Sequence, residues 1–517
     1  MKLIKMQPQT VTIKSDDAEF AGISINDLIS ISDGKAKLIT IVSSLADNDV
    51  EEDIGDEDFL SDIPMESMKT IECSILGSIK NGKFTDVVDE YPTTDVKAEI
   101  VADKEFQKML SGKVKGFEIG KYAGYDCKAV IDGNKFFQRH SCIVGNTGSG
   151  KSETVTKIVE ETVKNTNCNI IIFDIHGEYS NLSYVDNIAF GEELPFPIWL
   201  FGFSDIVANI LKIKEESATV YMSALRRAFH VCVGDKSEDK PVWFDFNRFV
   251  NCIRTLNEEM VDTGDVYKTG DRKGMPKLTK GEYNGKLSSI LSTLENLQKD
   301  KRYSFLFEDK GQEYLGCVVE SIMGNSKKVK NIDLSNIPHD VALMIIGAVT
   351  RLVYNVQLLQ EKPKPLTIVC DEAHVYIPTD YQLSASQRRM VEIFENIAKE
   401  GRKFGVTLFV ASQRPSELNK TIVAQCANYI CMKLNNETDK SMMKSVMAEG
   451  SSAVIESTSS FAPGDAIVIG DCLQVPLKIH VDLAVERPQA KTIEYWDEWQ
   501  KESESVDFGV IEEYLRR

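Results

Sequence analysis

Residues 140–165 read HSCIVGNTGSGKSETVTKIVEETVKN, and this stretch decides the fold. It opens on a β-prone run, Ser141 to Val144, and closes on a segment with helical period. Between them Gly145-Asn146-Thr147-Gly148-Ser149-Gly150-Lys151-Ser152 satisfies the pattern GxxxxGK[ST]. Strand, glycine-rich turn and helix in that order make a phosphate-binding loop. The glycines let backbone N–H groups converge on phosphate oxygens, and the helix adds its positive N-terminal end. Lys151 can neutralise charge between β- and γ-phosphates, and Ser152 can hold Mg²⁺. Thr147, Gly148, Ser149, Gly150, Lys151, Ser152 and Glu153 are therefore the expected nucleotide contacts, with ATP and Mg²⁺ as ligands. A glycine-rich turn without a ligand is the alternative, which the complete pattern in this context disfavours.

The same grammar continues outward. NIIIFDI (169–175), LTIVCDE (366–372), VTLFVAS (406–412) and YICMKL (429–434) are apolar strand-like runs separated by helical patterns such as 387–405. Near-continuous apolar strands alternating with helices predict a buried, mainly parallel sheet, hence an α/β core over 116–205 and 330–487. Residues 1–115 read differently. VTIKS (11–15), KLITIVSSL (37–45), TIECSILGSI (70–79) and FTDVVDEY (84–91) are short β runs, and Asn81-Gly82 signals a hairpin. A small N-terminal β-barrel or sandwich is expected, interrupted by an acidic stretch, Asp47 to Asp62, that reads as a solvated loop. Residues 206–329 predict a helical insertion whose polar segment, Asp262 to Lys286, is an exposed loop. The tail 488–517, rich in Trp and Glu, predicts a terminal helix or arm.

Hydrolysis needs acid beside the phosphates. In LTIVCDEAH, Asp371 and Glu372 follow an apolar strand, at the edge where ligands collect in open α/β sheets. Asp371 would complete the Mg²⁺ shell and Glu372 would orient or deprotonate the attacking water; a helix N-cap pair is the plainer reading. Gln413, ending VTLFVAS, can touch γ-phosphate and water as a sensor, or be an ordinary loop amide. Arg402, at the end of a helix, suits the helix dipole, or it can serve as an arginine finger in a neighbouring subunit's site.

Composition narrows the class. The 517 residues hold 60 Lys and Arg against 79 Asp and Glu, a formal charge of −19. That excludes a protein coated in basic surface, but not nucleic acid bound in a locally basic pore. No apolar run of about 18 residues is apparent, so no membrane span is expected. The N-terminus lacks the apolar stretch of a secretory signal. Eleven scattered cysteines without CxxC spacing point to a reducing cytoplasm, with no disulfide framework and no structural zinc.

With these elements in order, the chain resembles the HerA/FtsK group of RecA-like hexameric motors, and HerA-type ATPases most closely. The text that carries the likeness is RHSCIVG (139–145) running into the loop, FDIHGEY (173–179), DEAH (371–374), EGRKFG (400–405) and SQRP (412–415). The resemblance implies a RecA-like P-loop core with a helical insertion, an N-terminal barrel, and six subunits ringed around double-stranded DNA. It implies Lys151, Ser152, Asp371 and Glu372 as the hydrolytic centre, Gln413 as sensor and Arg402 as the finger acting in trans. It also implies that Arg139, Asp174 and the segment Lys478-Ile479-His480 approach the nucleotide. A nuclease or a NAD-hydrolase-type effector, in DNA repair or antiviral defence, is the implied partner, with the acidic N-terminal domain as its platform. DEAH alone would suggest a helicase with two tandem RecA-like domains, but only about 145 residues follow Asp371, too few for a second such domain. His374 is then a neighbour of the site with its role open.

Two functions stay open. One is a DNA translocase; the other is a ring scaffold that uses ATP to assemble an effector. A conjugation or secretion coupling ATPase is disfavoured by the expected lack of a membrane segment. Lys268, Arg272, Lys273, Lys277, Lys280 and Lys286 can follow DNA phosphates in a pore, or simply be a solvated surface.

Overall fold

A computed structural model describes residues 1–49, 67–93, 96–110, 114–191, 194–213, 219–236, 238, 240–324, 326–379, 383, 385–447, 454–489 and 495–501. The strands, in chain order, begin with β1 (Lys2–Met6), β2 (Thr10–Ser15), β3 (Leu28–Ser32), β4 (Lys37–Asp49), β5 (Ser67–Lys80), β6 (Lys83–Thr85) and β7 (Lys97–Ile100). Next come β8 (Gly116–Tyr122), β9 (Lys128–Asp132), β10 (His140–Val144), β11 (Ile170–Asp174), β12 (Val185–Ala189), β13 (Met260–Val266) and β14 (Pro276–Lys280). The last are β15 (Val329–Asp333), β16 (Leu366–Cys370), β17 (Val406–Ser412), β18 (Cys426–Cys431), β19 (Asp465–Gly470) and β20 (Lys478–Val481). The chain divides into two compact units, residues 1–168, 367–379 and 398–487 in one, and 169–366, 380–397 and 488–517 in the other.

In the first unit β1, β2, β5, β4, β3 and β7 form an antiparallel sheet in that order, with β6 on β5. Alternation builds its core: Val11 and Ile13 of β2 are buried while Lys14 is exposed. Ile29, Ile31, Leu38, Val42, Ile71 and Cys73 join them, each large aliphatic side chain worth about 1.5–3 kcal/mol when removed from water. The Asn81-Gly82 turn has φ of 52° and 75°, the positive pair of a type I′ hairpin. Where a closed barrel was expected, the hydrogen-bonded path among the described residues is open from β1 to β7. The ends are too short for an extended closing ladder: β4 and β5 run 13 and 14 residues, β1 and β7 only 5 and 4. FTDVVDEY contributes only the short β6. Of the acidic stretch, Asp47 to Asp49 continue β4; residues 50–62 lie outside the described residues.

The second sheet of this unit runs β16-β17-β10-β18-β19-β20-β8-β9. β17, β10 and β18 are parallel; β18 through β19, β20, β8 and β9 are antiparallel. The sheet is thus mixed rather than mainly parallel. Parallel neighbours need long crossovers, whereas β8–β9 and β19–β20 are joined by five and seven residues, which allow only hairpin-like reversal.

In the second unit β12, β15 and β11 form a parallel group in that order. The helices Thr219–Val233, Phe246–Glu258, Ser288–Lys299 and Tyr314–Met323 fill the insertion. The helical pattern over 206–229 is broken: Ile206–Ile210 is one π-helical turn, and Lys212 at φ 53° ends it. The segment expected as a loop holds a two-stranded ribbon, β13 against β14, pairing Val261 with Thr279 and Asp262 with Leu278. Every residue of β13 is exposed, so no buried face imposed the alternation by which strands are recognised. One helix, His339–Leu359, is long and apolar enough to cross a membrane by composition, with a mean hydropathy of 1.6 over its most apolar window, contrary to the expectation from sequence. Arg351 interrupts its apolar run, and 67% of that window is buried within the protein, as in a core helix. Of the tail, a helix Tyr495–Gln500 is described; residues 490–494 and 502–517 lie outside the described residues.

Candidate active site

The site is built in the first unit where β10, β16, β17 and β18 end. β10 delivers the chain to Gly145, where a Cβ would stand 2.6 Å from Ser149 Oγ and 2.8 Å from Met432 Cβ. Only glycine fits that approach. The loop is pinned by its backbone: Asn146 N–H donates to Lys433 O (2.9 Å), Ser149 N–H to Asn146 O (3.1 Å), and Gly464 N–H to Ser149 O (3.0 Å). Gly148 and Gly150 take φ of 76° and 100°, a region costly to residues with a Cβ. Space is open where Gly148 would carry a Cβ, so backbone can approach an anion closely. Gly150 then caps the helix Lys151–Asn165, whose positive end faces the loop.

Lys151 is buried, with Nζ 3.5 Å from Glu372 Oε1. Asp371 and Glu372 follow β16 directly and are 3% and 9% exposed. Glu372 sits at φ 44°, ψ 45°, a left-handed conformation that costs a non-glycine residue about 1–2 kcal/mol. That strain holds its carboxylate toward Lys151 instead of continuing the strand direction. Thr147 Oγ1 donates to Gln413 Oε1, joining the phosphate loop to the end of β17. Lys151 thus meets Glu372, and Thr147 meets Gln413.

A cavity of about 500 Å³ lies beside them, lined by Asn146, Thr147, Gly148, Ser149, Gln413, Arg414, Lys433, Asn435 and Pro463. Of these, Asn146, Arg414, Lys433, Asn435 and Pro463 are not among the contacts expected from sequence. The signal that points to two of them is position: Lys433 and Asn435 follow YICMKL's strand, at the carboxyl end of a parallel neighbour of β10. His374, whose role the sequence leaves open, has Nδ1 3.3 Å from both Glu372 Oε2 and Ser412 Oγ. Burial lowers its pKa, against the opposing pull of Glu372.

The segment 478–480 separates by face. Lys478 Nζ and His480 Nδ1 contact Asp465 at 2.7 and 2.9 Å, and Gly464 next to that aspartate holds Ser149. Burial alone would raise the Asp465 carboxyl, but Lys478 and His480 outweigh it and hold its pKa low. Ile479 points the other way and is fully buried, a core residue. Glu153 lies in the first turn after the loop with its pKa raised by burial, Arg487 opposing.

Three further candidates have these surroundings. Asp174, in the second unit, is fully buried, and its carboxylate accepts from the N–H groups of Glu178 (2.9 Å) and Tyr179 (3.0 Å) and from Asn331 Nδ2 (3.1 Å). It folds the DIHGEY turn onto itself, with Gly177 at φ 71° and Tyr179 buried. Arg139 precedes β10 and is paired with Asp471 at 2.5 Å. Val144 aligns with Ser412 at the phosphate-loop end, so Arg139 stands a strand length away, about 16 Å. Arg402 is exposed in the turn before β17; the seven residues of that strand put it about 23 Å from Gln413.

The residues present suit a nucleoside triphosphate with Mg²⁺: positive-φ glycines open to an anion, a buried lysine, and a hydroxyl (Ser152) and carboxylate (Asp371) of the kind that bind Mg²⁺ together with phosphate and water. Residues 117–353 match the family described as the central domain of the helicase HerA. A DNA double-strand break repair helicase HerA of Sulfurisphaera tokodaii is 27% identical over 512 residues, covering 96% of this chain and 92% of that one. One of Saccharolobus solfataricus is 26% identical over 81% of this chain and 80% of its own. In fold, the chain resembles VirB4 of Thermoanaerobacter pseudethanolicus, with a TM-score of 0.51 and 14% identity over 72% of this chain and 98% of that one.

Fold and site together define a P-loop ATPase. Within that class the chain is similar to HerA-type ATPases, whose central-domain family its residues 117–353 match.

Proposed function

We propose that the chain is an Mg²⁺-ATP-driven motor that moves double-stranded DNA through a ring of six subunits. The observation that carries this reading is the split of its charged groups. Lys151, Glu372 and the Thr147–Gln413 pair gather at one end of the strands, while Arg139 and Arg402 stand at the other end of β10 and β17. An arginine a strand length from its own phosphate loop cannot stabilise charge there, but in a closed ring it faces a neighbour's nucleotide. Its relatives' description as break-repair helicases supports DNA as the cargo.

At each seam Lys151 and the loop amides hold the phosphates, Ser152 and Asp371 would hold Mg²⁺, and Glu372 takes a proton from the attacking water. The bound ion supplies charge neutralisation at the phosphates. Gln413 reports the nucleotide's state to the Arg414 turn. A nuclease or NAD-hydrolase-type effector docks on the N-terminal sheet, in repair or antiviral defence, and the motor works in the cytoplasm.

The deciding experiment measures ATP turnover with and without duplex DNA while sizing the particle by light scattering. Stimulation by DNA in a six-subunit particle supports the motor. A ring whose turnover ignores DNA is instead a scaffold that assembles its effector, and a fully active monomer removes both readings.

A further inference from the structure

Glu372 is held from two sides. Lys151 Nζ stands 3.5 Å from Oε1, and Lys151 is the group that a triphosphate would engage. The other oxygen, Oε2, is buried and makes no hydrogen bond of good geometry, yet His374 Nδ1 lies 3.3 Å from it. The same Nδ1 lies 3.3 Å from Ser412 Oγ. Ser412 Oγ in turn accepts the N–H of Arg414 at 3.0 Å, closing the turn that presents Gln413. His374 therefore bridges the carboxylate following β16 and the turn following β17. Leaving a buried carboxylate oxygen without a donor is costly, and in the tautomer that carries the proton on Nδ1 this N–H, shared with Ser412 Oγ, is the donor placed to relieve it.

We propose that His374 is a positioning residue for hydrolysis: through Nδ1 it holds Glu372 by Oε2 and couples it to the Ser412–Arg414 turn that carries Gln413. When Lys151 turns to phosphate, Glu372 Oε1 gives up its partner. His374 then keeps the carboxylate aimed at the water instead of letting the strained Glu372 backbone relax. The group touches neither nucleotide nor water and acts through Glu372. This inference rests on Glu372 being the base.

The test uses the full chain and compares His374→Asn, whose amide nitrogen falls near the position of Nδ1, with His374→Phe, which keeps ring volume and loses the nitrogen. Turnover number, KM for ATP and melting temperature are measured for both, and for Glu372→Gln alone and combined with His374→Phe. We expect His374→Phe to lower kcat about 10- to 100-fold with KM nearly unchanged, because misplacing a catalytic group by an ångström costs on that order. His374→Asn should stay within about threefold of the parent, since it retains the donor. Adding His374→Phe to Glu372→Gln should cost nothing further, as expected of groups acting as a unit. Equal kcat for the Phe and Asn variants, or an additive loss in the double variant, overturns the inference. Should His374→Phe fail to fold, His374→Ala takes its place in the same contrast. Full turnover in Glu372→Gln would instead overturn the role of Glu372; an inactive Glu372→Gln beside indistinguishable His374 variants removes only the coupling proposed here.

Discussion

Glu372 concentrates the chemistry at the scale of one residue. A left-handed backbone at φ 44° is uncommon for glutamate, and such strain gathers where a side chain must point against the run of the chain. Glu372→Gln keeps shape and one acceptor oxygen but cannot accept a proton. It is expected to bind nucleotide with parental affinity and to lose about 10²-fold or more in turnover, read by titration with a fluorescent ATP analogue beside steady-state phosphate release. Unchanged release would take the base role away from it. Lys151, Ser152 and Glu372 were legible in the sequence because strand, loop and helix are contiguous there, so a local pattern carries its own structural context. His374, Lys433 and Asn435 were less so, because their relevance depends on which strand ends lie side by side. Asp174 was reached through the resemblance alone; its carboxylate accepts from the amides of Glu178 and Tyr179 and from Asn331.

At the scale of elements, legibility followed burial. β10, β16 and β17 are buried at every position, so their apolar runs stood out; β13 is exposed at every position and reads as loop. The β19–β20 pair has a different significance. It buttresses the phosphate loop through Gly464, which sits at φ 86° with His480 Cε1 3.2 Å from where a Cβ would be. Gly464→Ala should cost about 1–2 kcal/mol, since an L-residue resists that backbone. It should also weaken nucleotide binding by disturbing the bond to Ser149, as melting curves with and without ATP analogue would show. A parental melting point would mean the hairpin bears no strain. The β13–β14 ribbon makes the opposite prediction. Alanine at the exposed Lys268, Arg272 and Lys273 should leave stability within about 0.5 kcal/mol. If the ribbon follows DNA phosphates, each basic side chain so removed lowers the slope of log K against log salt by about one; an unchanged slope assigns these charges to solvated surface.

For the whole molecule, the placement of Arg402 decides whether one chain suffices. Its exposed position before β17 lies about a strand's length from the phosphate loop that its own chain forms. Arg402→Ala alone should therefore lower turnover by about 10³-fold, the range for losing such a finger, while leaving nucleotide affinity near parental. Glu372→Gln subunits are inactive for the opposite reason: they present an intact arginine but cannot use the neighbour's. Mixed in equal amounts before assembly, the two inactive chains complement. Each Arg402→Ala subunit that receives the arginine of a Glu372→Gln neighbour regains a whole site, and random mixing in a closed ring makes about a quarter of all sites whole. Recovered turnover should rise through a maximum near equal mixing and vanish at either pure end. Two cis-acting defects give no recovery at any ratio. A flat profile from rings of unaltered size would thus return Arg402 to its own subunit, and with it the requirement that the motor be assembled in order to run.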